Sequence, residues 1–226
     1  MTESESQKKI DRDSTVLRSE LRNWWVLNVI KPIEDFLIRK NIHPNQITLL
    51  ALGTSVLGAF LLANGRLLFA GWIILLTGSL DILDGRVARA TNQSSKKGEF
   101  LDSVMDRVQD LMLFAGLAFY YRFHPWILGS VLLALVGSVM VSYVRAKAAL
   151  YDIDLSKVGT LQRPERFFLL GFGCLLGAMF QIALWPFYGR DHQPPAHLLI
   201  GALIILAVTS AWSAWERIMF SLRSLD

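Results

Sequence analysis

A chain of 226 residues that is 53% hydrophobic and 19% charged, with a mean hydropathy of +0.38, carries more apolar side chain than a water-soluble domain of this length uses. Its formal charge of +4 is accounted for by membrane topology and anionic lipid, and calls for no nucleic acid partner. The single cysteine, Cys174, excludes an intramolecular disulfide and reads as a small buried hydrophobe.

The opening MTESESQKKIDRDS is polar and charged, without the basic and then apolar pattern of a cleaved signal. Residues 1–19 are therefore expected to form a flexible polar arm, and residues 20–226 a single membrane domain. Next, SELRNWWVLNVIKPIEDFLIRKNIHP alternates Trp24, Trp25, Val26, Ile30, Phe36 and Leu37 with charges. That pattern predicts an amphipathic helix lying on the membrane surface, kinked or divided at Pro32.

Six hydrophobic spans follow, at residues 46–64, 67–90, 101–121, 125–148, 166–186 and 196–219. Each has about 19 to 24 residues, which at about 1.5 Å per residue crosses a hydrocarbon core of about 30 Å. The expected fold is an all-α integral membrane protein of six transmembrane helices preceded by the interfacial helix. Basic residues crowd the N-terminal arm, the junction of spans two and three (Arg86, Arg89, Lys96, Lys97, Arg107) and that of spans four and five (Arg145, Lys147, Lys157, Arg163, Arg166). The opposite side has only Arg66, Arg122 and Arg190, so both termini and both basic junctions are expected in the cytoplasm. Trp72, Trp126, Trp185 and Trp212 suit interfacial anchoring. In the fifth span, Gly173 and Gly177 have the G-x-x-x-G spacing, which fits tight packing within the chain and a homodimer face equally well. His43, His124, His192 and His197 show no metal-ligand spacing.

The stretch DILDGRVARATNQSSKKGEFLDSVMD contains Asp81, Asp84, Asp102 and Asp106 at a depth where a lipid-facing anion costs about 2.5 kcal/mol or more. They are expected to line a polar cavity open to the cytoplasm. Asp81 and Asp84 are helix neighbours at i and i+3, Asp102 and Asp106 at i and i+4. A Ser, Gly and Lys turn between them would fold the two helices antiparallel and bring the pairs together. Four such carboxylates would hold protons unless cations neutralise them; nearby Arg and Lys side chains are one source, and among metals hard oxygen ligands suit Mg²⁺, Mn²⁺ or Ca²⁺ rather than zinc or copper. Gly85, Ala88 and Arg89 continue the strip beyond Asp81 as an open face ending in a guanidinium suited to phosphate. Together these residues suggest phosphoryl transfer.

The eight residues Asp81, Asp84, Gly85, Ala88, Arg89, Gly98, Asp102 and Asp106 match D-x2-D-G-x2-A-R-x8-G-x3-D-x3-D in full. This resembles the signature of the CDP-alcohol phosphatidyltransferase family, and the six spans fit that family over residues 20 to 220. The resemblance implies an enzyme of phospholipid synthesis that moves a phosphatidyl group from CDP-diacylglycerol to an alcohol and releases CMP. It implies two Mg²⁺ or Mn²⁺ ions held by Asp81, Asp84 and Asp102, with Asp106 as the catalytic base and a further metal contact. Gly85 and Arg89 would meet the nucleotide. Ser95 is a turn candidate for the same role, and Asn45 and Thr48, in a P-N-x-x-T element, either frame the nucleotide or cap a helix. Asp110, outside the signature, is expected to pair with a basic residue.

The acceptor is read from SYVRAKAALYDIDLSKVGTLQRPERF, whose basic density beside a phosphoryl-transfer cavity suits a phosphorylated alcohol. S-Y-V-R-A-K-A and G-x-x-x-R-x-E-R are similar to elements of the phosphatidylinositol phosphate synthase branch. On that resemblance, inositol phosphate is the acceptor and Ser142, Arg145 and Arg163 contact its phosphate. Ala149 and Gln162 depart from that branch, where Glu is common. Glycerol 3-phosphate, as in phosphatidylglycerophosphate synthase, is the rival substrate. A divalent-cation or proton transporter is the rival of a different class, but it needs polar residues through to the far side, and the outer halves of spans two and three are apolar.

Overall fold

The tertiary structure is a computed structural model that describes residue 28 and residues 30–155, 158–188 and 194–225. The N-terminal arm, Trp24, Trp25, Val26, Lys157, Arg190 and His192 lie outside the described residues. Among those described there are seven α-helices and no strand. In chain order they are α1 (Lys31–Arg39), α2 (Pro44–Ala63), α3 (Leu67–Ala90), α4 (Lys96–Tyr120), α5 (Pro125–Ala149), α6 (Arg163–Tyr188) and α7 (His197–Leu225).

Local chemistry sets the helix ends. His43 caps α2, its Nδ1 accepting the Asn45 amide at 3.2 Å while the Gln46 side chain accepts the His43 amide at 3.3 Å. Ser95 caps α4 by accepting the Gly98 amide at 3.1 Å. Asn41 and Asn92 adopt positive φ, 51° and 54°, just after α1 and α3. Asparagine tolerates this left-handed conformation, which lets the chain reverse within a few residues. Pro32 falls in the first turn of α1, where its missing amide is tolerated; most of the expected amphipathic helix before it lies outside the described residues.

Helices α2 to α7 correspond to the six expected spans. Five of them are long and apolar enough to cross a membrane, and the fold is that of a multi-pass membrane protein. The other, α4, has 25 residues but carries its charged residues in the first fifteen; its last ten, LMLFAGLAFY, are uncharged. Helix α2 packs on α3 and α4, α3 on α6, α5 on α7, with α6–α7 and α4–α5 contacts closing the bundle. Leu62, Ile74, Leu117, Leu199 and Leu203 fill its interior at 0% exposure. The outer face is apolar too, with Phe60 and Trp126 exposed at 64% and 91%, as lipid-facing side chains should be.

Two glycines govern how close the helices come. A Cβ on Gly116 would lie 2.5 Å from the Ala59 carbonyl oxygen, and one on Gly137 would lie 2.7 Å from Ser210 Cβ. The ambiguous Gly173 and Gly177 are both used within the chain, against Ala202 and Leu199 of α7. The short helix α1 lies against α3, with Ile30, Leu37 and Ile38 packed among Ile47, Leu83 and Val87. Its Glu34 accepts a hydrogen bond from Arg86 Nε at 2.7 Å, while Phe36 stays 56% exposed.

Candidate active site

The turn after α3 returns the chain so that α4 brings Asp102 and Asp106 beside Asp81. One carboxylate oxygen from each of the three lies within 4.8 Å of the others. The side chains of Asp81 and Asp106 are 13% and 19% exposed, open enough to be reached from one end of the bundle. Three hard oxygen donors so close together fit a divalent cation of the magnesium type.

Asp84 departs from the expected four-acid set. It lies about 60° around the helix from Asp81, given about 100° per residue, and that offset turns it toward α2. Thr48 Oγ1 donates to Asp84 Oδ2 at 2.7 Å and the Gly85 amide donates to Oδ1 at 2.6 Å, leaving Asp84 4% exposed. Thr48 is therefore neither a helix cap nor an open contact for a nucleotide: its hydroxyl orients a carboxylate. Asn45 does not cap α2 either, because His43 does. Its Oδ1 would be 3.6 Å from a Cβ on Gly98, whose missing side chain brings the start of α4 close to the start of α2. Ser95, expected near the nucleotide, serves as the cap of α4. The Arg89 guanidinium folds back over Gly85, 3.3 Å from where a Cβ would stand, so these two residues share a face as the spacing predicted.

The basic side is placed by helix packing. Gly78 admits Phe167, whose Cβ lies 2.8 Å from the position of a Cβ on Gly78. One turn toward the same end of the bundle from this contact, Arg163 on α6 stands level with Asp81 on α3. Arg163 Nη1 donates to Asp81 in a very short ion pair and to Asp106 Oδ1 at 2.6 Å. Its Nη2 reaches the Asp106 carbonyl at 3.1 Å and Gln109 Oε1 at 3.2 Å. Asp110 pairs with basic residues as expected: its oxygens are 3.6 Å from Arg163 Nε and 3.8 Å from Arg166 Nη1. Ser138 of α5 donates to Asp110 at 2.8 Å and accepts from Arg166.

Ser142 is half-buried and Arg145 exposed near the end of α5. Sequence reasoning passed over Arg217, only 9% exposed on α7. Its Nε donates to the Val158 carbonyl at 2.8 Å and its Nη1 to the Val141 carbonyl at 3.0 Å, tying the loop before α6 to α5 and α7. Arg145 of α5 and Arg166 of α6 lie near enough to act on it as like charges. A signal was available, since ionisable side chains such as Glu216 and Arg217 within the last hydrophobic span are unusual.

Fold and site together define a multi-pass membrane enzyme with a carboxylate cluster at one end of its helix bundle, faced by arginines. The chain belongs to the CDP-alcohol phosphatidyltransferase family, whose model matches residues 41–222. It is 32% identical over 198 residues to phosphatidylinositol phosphate synthase of Mycobacterium tuberculosis, covering 84% of each chain. It is 34% identical over 144 residues to archaetidylinositol phosphate synthase of Pyrococcus horikoshii, covering 61% of this chain and 72% of that one. A crystal structure of the M. tuberculosis synthase with CDP-DAG bound superposes with a TM-score of 0.70 at 26% identity, covering 85% of this chain and 93% of that one. The same synthase in complex with manganese and citrate gives a TM-score of 0.71 at 26% identity, covering 86% and 89%.

Proposed function

We propose that this enzyme transfers the phosphatidyl group of CDP-diacylglycerol to inositol phosphate and releases CMP, with its site and both termini on the cytoplasmic side of the membrane. The observation that carries the reading is the convergence of Asp81, Asp102 and Asp106 at the bundle end where Arg163 and Arg166 face Asp106 and Asp110. A metal-binding acidic centre beside a phosphate-binding basic one is what a phosphorylated acceptor requires. The relatives named for inositol phosphate chemistry, and a manganese-bound neighbour, support the same choice.

Asp81, Asp102 and Asp106 fit Mg²⁺ or Mn²⁺, with Asp84 as a fourth ligand from the wall formed by Thr48. Two such ions, when bound, would neutralise the diphosphate and stabilise charge on the five-coordinate phosphorus. Gly85 leaves the backbone of α3 approachable, and Arg89 beside it faces the cytidine diphosphate. Asn45 and Ser95 bound the same edge through the start of α4. Asp106 accepts the proton of the acceptor hydroxyl as its oxygen attacks the phosphorus bonded to diacylglycerol. The bond from that phosphorus to the CMP oxygen then breaks. Ser142, Arg145 and Arg163, joined by Arg217, hold the acceptor's phosphate. Glycerol 3-phosphate is the second candidate because it offers the same phosphate.

The test is purified protein with CDP-diacylglycerol, Mg²⁺ and either radiolabelled inositol phosphate or glycerol 3-phosphate, scored for lipid product and CMP. Turnover with inositol phosphate is expected. Turnover with glycerol 3-phosphate alone would replace the acceptor, and none with any alcohol would end the proposal.

A further inference from the structure

Arg163 occupies an unusual position for a residue assigned to an acceptor's phosphate. Its guanidinium is bonded to two of the three clustered carboxylates, Asp81 and Asp106, and to the Asp106 carbonyl. A divalent cation held by Asp81, Asp102 and Asp106 would draw on two of the same carboxylates. Both are positive, so a guanidinium and a divalent cation held against the same carboxylates repel each other strongly in a partly buried site. Asp110 supplies a second anchor that the metal does not need, 3.6 Å from Arg163 Nε, the atom nearest the stem of the guanidinium. Among the described residues that Nε has no hydrogen-bond partner, and neither does Arg166 Nε. The guanidinium thus makes its hydrogen bonds through its Nη atoms, while Asp110 lies within ion-pair distance of Nε and can retain the group when the Nη contacts are released.

We infer that Arg163 is an exchangeable internal counter-ion: it neutralises Asp81 and Asp106, divalent cations displace it, and its freed end then meets the acceptor's phosphate. This rests on the metal reading above and adds an order to it. Metal binding presents the acceptor-binding cation, so metal with CDP-lipid precedes the phosphorylated alcohol. Asp110 is a positioning residue in this scheme, and Asp106 becomes free to accept a proton only when Arg163 has left it.

The experiment measures Mn²⁺ binding directly, by loss of the free-ion electron paramagnetic resonance signal, with the full-length protein in detergent and no substrate. Arg163→Gln removes the competitor and is expected to tighten Mn²⁺ by about tenfold or more, equivalent to about 1.4 kcal/mol. Arg163→Lys, a shorter point charge that reaches fewer oxygens, is expected to fall between the two. Because Arg163→Gln leaves the buried acids uncompensated, its melting temperature is expected to drop in a chelator and to recover with Mn²⁺ by more than the wild type gains. That second readout covers a variant too unstable to titrate. Unchanged or weaker Mn²⁺ binding in Arg163→Gln, when Asp106→Asn does weaken it, would overturn this inference alone. No Mn²⁺ bound by either wild type or Arg163→Gln would remove the metal reading beneath it as well.

Discussion

Replacing Thr48 by valine removes one hydroxyl and keeps the branched shape, which isolates what orients Asp84. The Thr48 hydroxyl has one proton. At 2.7 Å from Asp84 Oδ2 and 3.3 Å from the Pro44 carbonyl, it goes to the carboxylate. Thr48 and Asp84 are each 4% exposed, so water cannot readily take its place. A hydrogen bond to a charged group contributes about 1.5–3 kcal/mol, and Asp84 would keep only the Gly85 amide. If Asp84 is a metal ligand, losing its orienting partner should weaken the metal by about 10- to 100-fold. The assay is CMP release against Mg²⁺ concentration at saturating CDP-diacylglycerol and acceptor. Thr48→Val should shift the half-saturating Mg²⁺ upward by that factor and recover turnover as Mg²⁺ rises. Thr48→Ser should behave as wild type. An unshifted Mg²⁺ curve in a folded Thr48→Val protein would refute the orienting role, and a wild-type curve in Asp84→Asn would refute the ligand role.

Asp106→Asn should lower turnover by about 10²- to 10⁴-fold, as expected for loss of a general base, while CDP-lipid binding by equilibrium dialysis stays near wild type. Near-normal turnover would contradict the base assignment. Gly137→Val forces a side chain into Ser210, whose Cβ is 2.7 Å and backbone carbon 2.8 Å from the required Cβ position. It should cost about 1–3 kcal/mol in a detergent melt. Gly129→Val, whose Cβ would meet nothing from another described helix within 4 Å, should melt as wild type. Arg217→Ala strips the donors from the Val158 and Val141 carbonyls. It should raise the KM for inositol phosphate more than that for CDP-diacylglycerol, and an equal effect on both would make Arg217 purely structural.

Much of this architecture is written in local pattern. The second span was expected at residues 67–90 and α3 is Leu67–Ala90, because apolar length and the turns around it are local properties. The facing pairs of carboxylates followed from helical periodicity and one turn, although Asp84 is also tied to Thr48 of α2. That tie was not legible because the i and i+3 spacing says two side chains are neighbours without saying which helix faces each. Thr48 was visible only as part of a motif, since its partner stands 36 positions away. Arg217 was overlooked for the same reason: the carbonyls it binds are 59 and 76 positions earlier in the chain.

The amino-acid sequence by itself determined that this is a helical membrane protein of the CDP-alcohol phosphatidyltransferase type, because hydropathy and an eight-residue signature are properties of position along the chain. Tertiary structure alone decided that Arg163 bonds to Asp81 and Asp106 and that Thr48 orients Asp84. It also turned Gly173 and Gly177 toward α7. The physical reason is that charge pairing and close packing act through space over a few ångströms. The partners lie on helices far apart in the chain, and only the folded bundle brings them within that range.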